Sequence, residues 1–387
     1  MQNKASVPPA KHILGLDLAK LVLIGPIAML HVWDIFYADA EVTLSRSESL
    51  YPYYRDTIGR VFGFAGTFIF VLSFFLFGYR GKTNLVFGKK QLLRLGILCA
   101  AMLSAQFSAT GDFIWDVFSF VLVSLALISV LGRLSSKAWD VVGLVAAVLL
   151  CIPPASYSEF LSSRLLALPA EILIATTSRY GQNGWFLLPW IGLPLLGYSF
   201  GRFCARTAES DESAHRLQAA FAPILFLAVY CLVFILGRGV PTAAVRGTAE
   251  YYDFAFRQSP LVFWRHFVPF LFFLFFATRP AVNAWLNQPQ LWLARILPKL
   301  QWSRNFWLAY VTHFGIIEWL VEYEDFFAAH LGVFDFLWLY VIIGTEVLLQ
   351  AFFFMLKVYA GLFTRVYAMF KRLKRKPALV PSDRDAA

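Results

Sequence analysis

Apolar residues in this chain come in long runs, not in the strict alternation or one-faced stripes of a soluble fold. A helix needs roughly 20 mainly apolar residues to cross a hydrocarbon core. Ten runs approach that length: Leu16–Tyr37, Val61–Tyr79, Leu92–Ser108, Phe113–Gly132, Trp139–Pro153, Trp185–Ala205, Ala219–Gly237, Leu261–Thr278, Asn305–Glu322 and Phe336–Phe363. The pattern predicts an all-α, polytopic integral membrane protein with about ten transmembrane helices. Residues 1–15 form a short N-terminal segment, 16–363 a single membrane domain and 364–387 a basic tail. Two further stretches are less apolar. Ser162–Thr177 holds Arg164, Pro169 and Glu171 and reads as interfacial or re-entrant. Trp285–Leu300 mixes Trp and Leu with Arg295 and Lys299, which suits an amphipathic helix on the membrane surface.

The polar positions between the runs give an orientation. If the N-terminus is cytoplasmic, most of the 34 Lys and Arg residues fall on the cytoplasmic side, including the KRLKRK run Lys371–Lys376. That bias places both termini inside and supports an even number of spans. Ala38-Asp39-Ala40 resembles a signal-peptidase site, but the run before it carries Asp17, Lys20, His31 and Asp34. A signal h-region is normally free of charge, so an uncleaved first span is the better reading.

Composition sharpens this picture. The 387 residues are 59% apolar, 18% aromatic and only 15% charged, with mean hydropathy +0.63. Soluble domains carry about 25% charged residues, so a soluble enzyme and a disordered chain are both poor readings. The net charge of +10 is explained by cytoplasmic loops, and no nucleic-acid-binding signature accompanies it. Cys99, Cys151, Cys204 and Cys231 lie in apolar runs without metal-ligand spacing, which argues against a disulfide framework or a metal site. No strong internal repeat is present.

Ionisable residues inside the spans are the candidates for chemistry, because each costs at least ~2.5–3.5 kcal/mol at the bilayer centre. At about 100° per residue, with Lys20 at zero, Asp17 falls near 60°, His31 near 20° and Asp34 near −40°. One stripe of the first span therefore carries all four, with Lys20 and His31 roughly 16 Å apart along it. Asp17 and Lys20 are spaced to pair, and Asp34 is spaced to hold a ring N–H of His31. The stripe fits a buried ion-pair seam between helices or a functional path, and the sequence leaves both open. The ninth span holds Tyr310, His313 and Glu318, with His313 near mid-membrane. Glu346, Gln350 and Lys357 share one line of the tenth span and read as a structural seam.

Asp17-Leu18-Ala19-Lys20, followed by ten residues and His31, resembles the first span of the membrane acyltransferase superfamily. That superfamily includes the acyltransferase-3 proteins, the OpgC glucan succinyltransferases and the heparan-α-glucosaminide N-acetyltransferase relatives. Lys20 stands where the acyltransferase-3 pattern has Arg, which keeps the charge but not the planar fork. Gly63–Ser73 is similar to the second-span FxFLSG segment, with Phe74 in place of its Gly. Leu187–Gly192, ending in Leu196-Gly197-Tyr198, resembles the LPWLG…LLG span, and Tyr310–His313 the late YxxH segment.

The resemblance implies transfer of an acyl group, expected to be acetyl, from cytoplasmic acyl-CoA. The acceptor it implies is a sugar hydroxyl or amine of an extracytoplasmic glycan or glycolipid. It casts His31 as the essential histidine, with Asp34 orienting it and His313 or Tyr310 donating to the developing oxyanion. Asp17 and Lys20, with Lys89, Lys90 and Arg94 of the following basic loop, are the candidates for holding the donor. For that loop a pure topology signal is the competing reading. The bilayer is the implied surrounding, a bacterial inner membrane the expected location, and a homo-oligomer is compatible with all of this. A proton-coupled transporter or lipid/glycan flippase is the main rival reading, and a non-catalytic scaffold the third.

Overall fold

The computed structural model describes residues 13–38, 65–82, 96, 99, 117–152, 188–208, 225–232 and 260–374. The candidate donor-binding residues Lys89, Lys90 and Arg94 lie outside these, as do Ser162–Thr177, almost all of the third predicted span and the end of the tail. The described residues are mostly helical and contain no strand. The longer helices are α1 (Leu14–Ala38), α2 (Ala65–Tyr79), α3 (Val117–Leu131), α4 (Ser136–Leu149), α5 (Gly192–Ala208), α6 (Pro260–Ala277), α7 (Pro280–Leu286), α8 (Phe306–Val321) and α9 (Leu337–Lys374). By length and composition, the Leu337–Met369 part of α9 can cross a bilayer alone, and α6 with α7 forms a second candidate bent by 72°. Thr67–Tyr79, Phe120–Leu131 and Leu308–Val321 are shorter apolar helices.

Local chemistry explains the boundaries. Ser135 caps α4 by accepting the Ala138 N–H at 3.3 Å, satisfying a donor that the first turn leaves open. Pro280 holds Arg279 in extended backbone (φ −70°, ψ 137°) and so breaks α6 from α7. The Thr278 hydroxyl and Arg279 Nε then donate to the carbonyl of Phe275 at the freed helix end. The amphipathic helix expected over Trp285–Leu300 is instead a series of pieces: the end of α7, a turn at Leu293–Ile296 and a 3₁₀ turn at Leu297–Lys299. Pro289 and Pro298 interrupt it, since neither can donate a helix hydrogen bond. The last helix runs past the expected Phe363 to Lys374. The basic residues there favour a helix C-terminus even though they end the apolar run.

The tightest packing joins α2 to α5, and glycine permits it. A Cβ on Gly201 would lie 2.2 Å from the carbonyl oxygen of Phe75, and one on Gly197 2.6 Å from that of Val71. Gly197 and Gly201 form a GxxxG pair, the spacing that lets helix backbones touch within lipid. Phe70, Phe74 and Phe120 pack beside this contact, and Phe68 stacks on Phe270 with centroids 4.5 Å apart. Gly201→Leu should destabilise the bundle by about 3 kcal/mol or more, since backbone cannot yield as a side chain can. Gly315→Ala meets open space and should leave thermal unfolding in detergent unchanged or slightly improved.

Hydrogen bonds gather several helix ends at one basic end of the bundle. Gly15 N–H donates to Asn283 at 3.0 Å, Tyr198 to the Lys82 carbonyl at 2.9 Å, and Arg279 to Thr207 at 2.9 Å. Arg202 and Arg206 reach Ser136, and Arg206 also pairs with Asp140. Thus α1 and α4 begin at this end, and α2, α3, α5 and α6 finish there. α8 runs parallel to α1, and α9 runs back toward the same end beside both.

Candidate active site

The polar stripe of α1 faces α8 and the short helix Gln301–Arg304 that leads into it. Lys20 Nζ donates to Asp17 Oδ1 at 3.0 Å and to the carbonyl oxygen of Ser303 at 2.5 Å. Both charged side chains are buried. An ammonium with a carboxylate and a carbonyl within hydrogen-bond reach is well compensated, and breaking a buried pair from one side is costly. The Lys20 charge is therefore engaged inside the protein, where it ties α1 to the start of α8.

Eleven residues further along α1, His31 Nδ1 lies 2.8 Å from His313 Nε2, across a sequence separation of 282. The rings stack with centroids 5.0 Å apart and planes 21° apart. Phe314 lies 4.3 Å from the His31 ring, Tyr310 stands edge-on at 5.9 Å, and Trp302 lies 5.8 Å from His313. His313 is fully buried, whereas His31 retains some accessible surface. One nitrogen of such a contact must donate and the other accept, so the pair holds a proton between α1 and α8. His313 Nδ1 makes no hydrogen bond of good geometry.

Of the residues expected to carry chemistry, His31, His313 and Tyr310 are thus brought together. Asp34 belongs to α1 one turn beyond His31, and its side chain is outside the described set. Glu318 is exposed on another face of α8. Among the described residues no group of three or more His, Cys, Asp or Glu could hold a metal ion.

Glu346 and Gln350, two of the three residues read as a structural seam, form a supporting network. Both Glu346 oxygens accept the Gln301 N–H at 2.9 Å, and Oε2 also takes the Trp302 N–H at 3.3 Å. A carboxylate at a helix start satisfies open donors and complements the dipole. Gln350 bridges Glu346 and the Lys299 carbonyl, and Trp302 Nε1 donates to the Ile342 carbonyl at 3.2 Å. α9 thereby fixes the turn that offers Ser303 to Lys20 and Trp302 to His313. The line of Glu346 and Gln350 on one face was the readable signal; its target, a pair of backbone N–H groups, carries none. Glu346→Ala should cost about 2–3 kcal/mol, with Glu346→Gln milder because one oxygen acceptor survives. Thermal unfolding of the two variants in one detergent checks the order.

Comparison with known proteins finds no matching family model, no matching curated protein and no matching solved structure.

Proposed function

We propose that this chain is a membrane-embedded acyltransferase that moves an acyl group, expected to be acetyl, from cytoplasmic acyl-CoA to a sugar hydroxyl or amine of an extracytoplasmic glycan or glycolipid. The observation that carries this is the His31–His313 contact, since the two histidines come from the two stretches that resemble the acyltransferase pattern. In the tautomer this mechanism uses, His313 carries its proton on Nδ1 and its Nε2 accepts from His31 Nδ1–H. His31 Nε2 then carries a lone pair on the more accessible ring. It takes the proton from the acceptor hydroxyl or amine as the acceptor oxygen or nitrogen attacks the thioester carbonyl. The carbon–sulfur bond breaks, and the leaving CoA thiolate takes up the proton held by the His31 imidazolium, which restores the base. Tyr310, beside both rings, is the group placed to donate to the developing oxyanion. The aromatic surround keeps water from competing for the donor.

In this reading Asp17 and Lys20 hold α1 in register with α8. Donor phosphates then fall to the basic end, where Arg80 and Lys82 lead into the loop of Lys89, Lys90 and Arg94. The described helices alternate in direction as two termini on one side of a membrane require; ten spans, cytoplasmic termini and a bacterial inner membrane belong to the same proposal. A proton-coupled transporter would use the same N–H···N contact as a relay. Purified protein in lipid nanodiscs with labelled acetyl-CoA and a crude envelope glycan extract separates the two. Acceptor-dependent CoA release with label transfer is expected; proton-coupled flux without CoA release would assign the chain to transport.

A further inference from the structure

Residues 280–304 turn across the basic end of the bundle instead of continuing along it: α7 departs from α6 by 72°. If α6 crosses the bilayer, that angle lays α7 close to the membrane plane. The segment is two-sided. Its inner side is closed by Leu286 and Leu297, both buried against Leu14 at the start of α1. Its outer side exposes Trp285 (57%), Trp292 (62%) and Ile296 (41%), together with Arg295, Lys299 and Arg304. No Asp or Glu occurs between Arg279 and Glu318, so nothing in this stretch offsets its positive charge.

We propose that residues 280–304 form a collar that docks on the anionic lipid surface of the cytoplasmic leaflet. Trp285 and Trp292 sit at the boundary between headgroups and hydrocarbon, where an indole satisfies both its apolar ring and its N–H. Ile296 inserts beside them, and Arg295, Lys299 and Arg304 meet lipid phosphates. Charge complementarity selects this occupant: exposed tryptophans alone would suit any bilayer, but three exposed cations in a stretch with no Asp or Glu of its own, and with the nearby Glu346 carboxylate taken up by the Gln301 and Trp302 N–H groups, favour an anionic one. Because Ser303 in the same segment holds Lys20, docking also bears on α1. The inference concerns lipid and does not depend on acyl transfer.

The test compares thermal unfolding of the full chain in nanodiscs of phosphatidylcholine with nanodiscs containing about one third phosphatidylglycerol. Wild type should unfold at a higher temperature in the anionic discs. The triple variant Arg295→Gln/Lys299→Gln/Arg304→Gln should lose most of that increment. Arg133→Gln/Lys137→Gln, which removes exposed cations from the turn after α3 and from the first turn of α4, should keep it. Trp285→Ser/Trp292→Ser should lower the unfolding temperature in both disc types and so report the apolar half of the contact separately. Adding inorganic pyrophosphate to neutral discs should not reproduce the increment, which separates a lipid surface from a soluble phosphate site. Equal stability of wild type in the two lipids, or a full increment in the triple variant, would overturn the proposal.

Discussion

His31→Ala is expected to lower acyl transfer by about 10²–10⁴-fold, the usual worth of a positioned general base. The folded fraction should survive, because His31 is the more accessible partner of the two. Its removal costs the contact to Phe314 and the hydrogen bond to His313, which amounts to packing and one neutral bond. His313→Ala should slow transfer as well, and should also destabilise, since it empties a fully buried site between α1 and α8. Glu318→Gln, on an exposed face of α8, should leave turnover near wild type. CoA release in nanodiscs, normalised to folded protein, reads all three. Full turnover in folded His31→Ala would remove the imidazole from the mechanism.

Lys20→Met is expected to be the most destabilising single change among the charged residues of α1. It removes the ammonium from the buried Asp17 carboxylate and the donor from the Ser303 carbonyl. Breaking a buried pair from one side typically costs ~3–5 kcal/mol. Asp17→Asn should cost less, since the amide keeps an oxygen for the ammonium. The double variant Lys20→Met/Asp17→Leu should recover much of the loss, because an apolar pair carries no desolvation cost. Thermal unfolding of the four proteins gives the coupling directly. If Lys20→Met is as stable as wild type, the pair is not what ties α1 to the start of α8.

The stripe on α1 could be read before any fold was known, because 100° per residue puts Lys20 and His31 on one line. The structure meets that line with Ser303 and His313 on a single neighbouring segment. Eleven residues on α1 match ten on the other, as nearly parallel helices of equal rise require. The partner itself could not be read, since a contact across 282 residues leaves no local trace. Ser303 was invisible for another reason: Lys20 takes its backbone carbonyl, which every residue has. Other features had signals that a hydropathy reading passes over. Pro289 and Pro298 mark where the surface segment breaks, and Gly197 with Gly201 marks the closest helix contact. The end of α9 lies past the expected Phe363 because Arg365 breaks the apolar run without breaking the helix, which stays apolar to Met369 and helical to Lys374.

The most direct measurement is a double-mutant cycle on turnover, with His31→Gln, His313→Gln and the double variant assayed for acetyl-CoA-dependent transfer in nanodiscs. Two groups that share one proton act as a unit, and knockouts within a unit are strongly non-additive. The account predicts that the double variant turns over within a few-fold of the slower single variant. Losses that multiply, with the double variant slower by the product of the two single effects, would contradict a catalytic histidine pair.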